Sequence, residues 1–246
     1  MTVQGKVVVI TGGSSGLGRA MAIEMVNQGA RVVINGRREE ALAEVAKEID
    51  PTGKSVRFVA GDIADPEVAQ RLIQEGVTHF GRIDTLVNNA GIFMSKPFTE
   101  YTEDDFATYL STNVVGFFHV TQRAVTEMLK QGSGHIVNIT TSLVDQPSVK
   151  VPSVLASLTK GGLKSATKSL AIEYAASGIR VNAVSPGVIK TPMHAVETHE
   201  ALAGLHPVGR MGESKDIVDA VLYLDSANFV TGEILYVDGG QNAGTM

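Results

Sequence analysis

Short runs of β-branched and aliphatic residues recur along the chain, separated by longer stretches in which apolar positions return every three or four residues. The short runs lie at residues 7–10, 31–35, 56–60, 85–88, 135–140, 180–184 and 233–237. Several, such as Val7-Val8-Val9-Ile10, show no polar alternation, which predicts strands covered on both faces. The longer stretches predict helices over residues 15–28, 38–49, 66–80, 103–130, 155–177 and 214–225. This alternation predicts an α/β fold, a doubly wound parallel sheet with right-handed crossovers and helices on both faces. No linker or repeat interrupts it, so one domain over residues 1–246 is expected. Residues 190–212 break the pattern. They are rich in His, Pro and Gly and weakly periodic, which predicts a lid or substrate loop.

Composition narrows the function classes. A chain that is 43% hydrophobic and 19% charged has the apolar content of a folded domain. Its 21 Lys and Arg against 26 Asp and Glu give a net charge of −5, which argues against a nucleic-acid or anionic-membrane partner. Without cysteine there is no disulfide, thiolate nucleophile or Cys-ligated metal. No apolar run reaches bilayer length and no apolar leader precedes the first strand, so a cytoplasmic protein with no membrane partner is expected.

Candidate chemistry begins where the first strand breaks into Thr11-Gly12-Gly13-Ser14-Ser15-Gly16-Leu17-Gly18. Strand, glycine turn and helix bring backbone N–H groups and a helix N-terminus against a pyrophosphate. Gly12, Ser14, Ser15, Gly16, Leu17 and Gly18 are therefore candidate dinucleotide ligands, although such a turn can also simply join strand to helix. The second strand runs into Asn35-Gly36-Arg37-Arg38 with no carboxylate for a ribose 2′-hydroxyl. Guanidinium groups in that place suit a 2′-phosphate, so Arg37 and Arg38 predict NADP(H) over NAD(H). The alternative is that they open a solvated helix. After the third strand, Asp62-Ile63 fits an adenine contact or a simple turn. Asn89-Ala90-Gly91 closes the fourth strand with small residues that let a ligand approach.

The chain resembles the short-chain dehydrogenase/reductase family. The matching pieces are TGGSSGLG at 11–18, NNAG at 88–91, Asn113, HIVNIT at 135–140, Lys160, SPGVIKT at 185–191 and VTGEILYVDGG at 230–240. The resemblance implies a seven-stranded Rossmann fold with a nicotinamide dinucleotide across the carboxyl edge of the sheet. It implies Pro186, Gly187, Ile189 and Thr191 near the nicotinamide, and a homodimer or homotetramer. It also implies catalysis shared by Asn, Ser, Tyr and Lys. There the tyrosine exchanges a proton with the substrate oxygen, and the lysine holds the ribose and lowers the tyrosine pKa. The serine binds that oxygen, and the asparagine holds a helix bulge in a proton relay.

One member of that set is missing. The tyrosine position is Ala156, and no aromatic residue occurs from Leu143 to Ile172. Asn113 and Lys160 match directly, while Thr141 and Ser142 compete for the serine role or simply form a strand-end turn. Substitute proton donors are Lys160 through a water, or a histidine of the long loop. Taken singly, however, His194, His199 and His206 read as solvated loop residues. Their spacing does not suit zinc, and no metal is expected. The reading is an NADP(H)-dependent oxidoreductase acting on a small alcohol or carbonyl compound, with an altered catalytic centre. The alternative is a catalytically weak or inactive NADP(H)-binding protein.

Overall fold

The structure is a computed structural model describing residues 3–244. Seven strands are β1 (Val7–Ile10), β2 (Arg31–Gly36), β3 (Val56–Ala60), β4 (Thr85–Asn88), β5 (Gly134–Ile139), β6 (Ile179–Pro186) and β7 (Ile234–Val237). They form one parallel sheet in the order β3-β2-β1-β4-β5-β6-β7. The helices are α1 (Gly16–Asn27), α2 (Glu39–Ile49), α3 (Pro66–Phe80), α4 (Glu103–Tyr109), α5 (Gly116–Gln131), α6 (Val154–Tyr174), α7 (His199–Ala203) and α8 (Ser214–Ser226). The order in which strands are added reverses between β1 and β4, which opens a crevice at their carboxyl ends.

The continuous Val/Ile runs are explained by two cores. Val8 and Ile10 of β1 face Met21, Met25, Ile217 and Val221 on α1 and α8. Val7 and Val9 face the opposite way, toward Leu72, Ile73, Val120 and Ala124 on α3 and α5. Both faces of the strand are thus apolar. No helix among the described residues is long and apolar enough to cross a membrane.

One sequence expectation needs correction. The single helix over 103–130 is divided by a wide π-type turn at Leu110–Val115. One inserted residue leaves the apolar period nearly intact, so the pattern does not betray it. Residues 190–212 are partly ordered into α7, and their two ends are bridged just past β6. Lys190 N–H donates to Gly212 O (2.9 Å) and Gly212 N–H to Val188 O (3.0 Å).

The amino edge of the sheet is closed by a buried charge network. Asp225, at the end of α8, accepts from Lys6 Nζ (2.7 Å) and Thr85 Oγ1 (2.6 Å), with His135 Nδ1 at 3.5 Å. His135 Nε2 lies 3.1 Å from Asn182 Nδ2, which fixes the tautomer: Nε2 accepts and Nδ1 carries the proton. Burial pushes the His135 pKa down to about 4. Burial works to raise Asp225, but hydrogen bonds from His135, Lys6 and Thr85 outweigh it and hold the carboxyl well below the usual range.

Candidate active site

A cleft of about 620 Å³ runs along the carboxyl edge of the sheet. Its first wall is the turn after β1. Thr11 Oγ1 accepts from Asn89 N (3.0 Å) and Ala90 N (2.9 Å), and Asn89 Nδ2 donates to Thr11 O (2.9 Å) and Gly12 O (3.1 Å). These bonds sew the ends of β1 and β4 together. Gly12 has φ +69° and lies so close to Ala90 that a Cβ would sit 3.0 Å from its Cα. Ser14, Ser15, Gly16, Leu17, Ala90 and Gly91 also line the cleft. The Ser15 side chain makes no cap hydrogen bond, and α1 has no acidic residue in its first turn. The helix therefore presents uncapped N–H groups to the cleft, an arrangement suited to a phosphate. Gly18 does not line it. A Cβ there would meet Gly12 O at 2.2 Å, so its place is the contact between helix and turn.

The second wall follows β2. Asn35 Nδ2 donates to Val59 O (3.0 Å) and Gly61 O (3.2 Å), bracing the ends of β2 and β3. A Cβ on Gly36 would come within 3.0 Å of Ser14 Oγ, so glycine keeps this corner open. Arg37 borders the cleft, is exposed, and has no ion-pair partner among the described residues. Arg38 does not border the cleft; it occupies the N-cap position of α2. Asp62 and Ile63 line the cleft, and Asp62 Oδ1 also accepts from Ala64 N (2.9 Å) in the turn.

The third wall holds the reactive groups. Lys160 is 8% exposed. Its Nζ donates to Ile139 O (2.7 Å), and its two other N–H bonds meet no acceptor among the described residues. A Cβ on Gly91 would stand 2.9 Å from this nitrogen, so glycine makes room for it. Burial alone pulls the Lys160 pKa down to about 8. Ala156, one helical turn earlier on the same face, also lines the cleft and packs with Leu155 and Tyr109. Tyr109 does not replace the missing phenol. Its hydroxyl accepts from Met94 N (2.6 Å) and donates to Met94 O (3.1 Å), and burial pushes its pKa up to about 12. Among the described residues no tyrosine lines the cleft.

Asn113 stands behind this wall, inside the π-type turn. Its Oδ1 accepts from Ile92 N (2.9 Å) and its Nδ2 donates to Thr159 Oγ1 (3.1 Å). Thr141 and Ser142 both reach the cleft. Thr141 Oγ1 accepts from Leu143 N (3.3 Å), whereas the buried Ser142 hydroxyl donates to Gln241 Oε1 (2.9 Å). Gln241 was not anticipated; it lies 99 residues from Ser142, and no local pattern links the two.

Pro186, Gly187, Ile189 and Thr191 form the far rim together with Met193, His194 and Leu202. His194 is half-buried and its pKa is lowered by burial. His199 is half-buried outside the lining, its Nε2 lying 3.2 Å from His194 O. His206 overturns the solvated-loop expectation. It is 2% exposed, because Gly187 and Gly239 leave room for its ring. No group of three or more His, Asp or Glu side chains among the described residues is arranged for a metal ion.

Comparison with known proteins agrees with this architecture. A family model described as Enoyl-(Acyl carrier protein) reductase matches residues 12–242. An uncharacterized oxidoreductase of Thermotoga maritima is 38% identical, over 99% of this chain and 100% of that protein. The structure titled ElxO with NADP bound superposes with a TM-score of 0.89 at 32% identity, covering 97% of this chain and 99% of that one. A 3-ketoacyl-(acyl-carrier-protein) reductase from Brucella melitensis, complexed with NADH, gives 0.91 at 32% identity, with 98% and 100% covered. Matched from its glycine turn to the end of its last strand, the chain belongs to the short-chain dehydrogenase/reductase family of oxidoreductases.

Proposed function

We propose that the protein is an NADP(H)-dependent oxidoreductase acting on a small alcohol or carbonyl compound, with Lys160 carrying the proton that a tyrosine carries elsewhere in the family. The residues fit a nicotinamide dinucleotide. Gly12 and Gly36 keep a cradle open, α1 offers uncapped N–H groups, and Arg37 offers an unpaired guanidinium for a 2′-phosphate. When bound, the dinucleotide supplies or accepts a hydride. Both NADP and NADH occur among the solved relatives, so the preference for NADP(H) rests on Arg37 and on the lack of a carboxylate after β2.

The observation that carries the catalytic reading is the state of Lys160. It is buried, held by one carbonyl, keeps two N–H bonds spare, and titrates near the pH at which a general acid works well. Ala156 leaves space beside it for a substrate oxygen or a relaying water. Thr141 binds that oxygen, Ser142 with Gln241 forms the floor, and Asn113 holds the π-type turn against Ile92. Residues 190–212 act as a lid. The family's dimeric or tetrameric assembly extends to this chain, where Phe118 of α5 and Val154 and Leu158 of α6 are exposed.

The test is a panel of small alcohols and carbonyl compounds with NADPH or NADP, read by nicotinamide absorbance. Turnover that disappears in Lys160→Met is expected, and silence across the panel with NADPH firmly bound counts against the proposal. The absence of a tyrosine from the cleft favours a second reading, a dinucleotide-binding protein with little turnover. NADPH would then raise the melting temperature by mass action without any reaction. A gain of activity in Ala156→Tyr would show that the remaining groups are still arranged for hydride transfer.

A further inference from the structure

We propose that His206 is a positioning residue for the dinucleotide, holding the 186–191 rim in its binding shape. The inference rests on the reading of the cleft as a dinucleotide site. His206 belongs to the long loop between β6 and α8, yet its ring is buried at 2% exposure, between Gly187 and Gly239. Its Nε2 accepts the backbone N–H of Val188 at 2.9 Å. A Cβ on Gly187 would lie 2.7 Å from that nitrogen, and one on Gly239 would lie 3.2 Å from the His206 Cβ. Val188 itself lines the cleft, as do Gly187 and Ile189 on either side of it.

The second nitrogen strengthens the case. With Nε2 accepting, the neutral ring carries its proton on Nδ1, and Nδ1 is buried with no hydrogen-bond partner among the described residues. A buried donor left unsatisfied opposes folding. The ring is thus poorly placed for stability and well placed for Val188. The rim is also fastened by the Lys190 Nζ bond to Glu213 Oε1 (2.6 Å) and by backbone bonds. Gly187 N–H donates to Val237 O (3.1 Å), and Val188 O accepts from Gly212 N (3.0 Å). Among the described residues of the 186–191 rim, Val188 is the one whose backbone N–H donates to a side chain. Without that acceptor the rim samples other shapes, and apparent affinity falls in proportion to the fraction still competent.

The experiment titrates NADPH calorimetrically into purified unaltered protein, His206→Leu and His206→Gln. Leucine fills the space but cannot accept; glutamine places an amide oxygen near the Nε2 position. NADPH should bind about tenfold more weakly to the leucine variant, the effect of losing one hydrogen bond, and within about threefold of normal to the glutamine variant. A purely structural role would lower the melting temperature without NADPH and leave the affinity of the folded protein unchanged. Normal affinity in His206→Leu, or glutamine no better than leucine, overturns the inference. If the leucine variant does not fold, hydrogen exchange of the Val188 amide in unaltered protein decides: slow exchange without NADPH is expected, and fast exchange overturns it. Should the unaltered protein bind no NADPH, the dinucleotide reading falls and takes this inference with it. If it binds and the variants match it, the inference falls alone.

Discussion

The two edges of the sheet treat buried charge in opposite ways. At the amino edge, Asp225 is wholly buried and receives Lys6, Thr85 and His135, while Arg180 donates to the carbonyls of Leu224, Asp225 and Val230. At the carboxyl edge, Lys160 is nearly as buried but has one carbonyl for company. The electrostatic outcomes differ accordingly. Partners keep the Asp225 carboxylate charged against burial, whereas Lys160 has no carboxylate partner among the described residues and its pKa drifts toward neutrality. A satisfied network serves the fold, and spare donors beside an open cleft serve a ligand.

That contrast is tested most severely by exchanging the two losses. Lys160→Met should lower turnover by about 10²–10⁴, the usual contribution of a positioned acid or base, with unfolding by urea little changed. Asp225→Ala should do the reverse. It strands the buried His135 and the partly exposed Lys6 ammonium, so a loss of about 3 kcal/mol in unfolding free energy is expected, with NADPH affinity of the folded protein retained. If Asp225→Ala leaves the urea midpoint in place, the amino edge is not the staple described.

Smaller effects sharpen the picture within each edge. Arg37→Ser should weaken NADPH about tenfold to a hundredfold and leave NADH alone, as expected for losing charge-assisted bonds to a phosphate. Equal losses for both dinucleotides would remove the case for a 2′-phosphate. At the amino edge the sign of the pH effect is fixed. The native His135 pKa, about 4, lies below its ordinary 6.5, so between those values the unfolded chain binds the extra proton and stability falls as pH falls. The lowered Asp225 adds a further loss in the same direction below its ordinary 3.8. Unfolding free energy measured from pH 7 to 4 should decline, and His135→Gln should flatten that slope.

Much of this molecule is written locally. Apolar runs mark the strands, most plainly in β1 and β4, which are buried on both faces, and less plainly in β3 and β7, which are only partly buried. TGGSSGLG, the absence of an acid after β2, Lys160 and the alanine at 156 are also visible in the sequence alone. What escaped depends on contacts between distant segments. Ser142 finds Gln241, and His206 finds Val188 through the space left by Gly187 and Gly239, while the bulge at Asn113 was legible only through the family resemblance. Arg37 and Arg38 read alike in sequence, yet one reaches the cleft and the other starts α2, because neighbouring residues at a strand-to-helix corner point in different directions. A histidine in a loop rich in Pro and Gly carries no local mark of burial.

The bond from Ser142 to Gln241 also ties the cleft to the segment that follows the last strand. Gln241 follows the last strand and is held by Asp238, which accepts from the backbone N–H groups of Gly240 and Asn242. The floor of the pocket is therefore complete only when β7 is paired with β6, and anything that frays this last strand loosens the cleft from below.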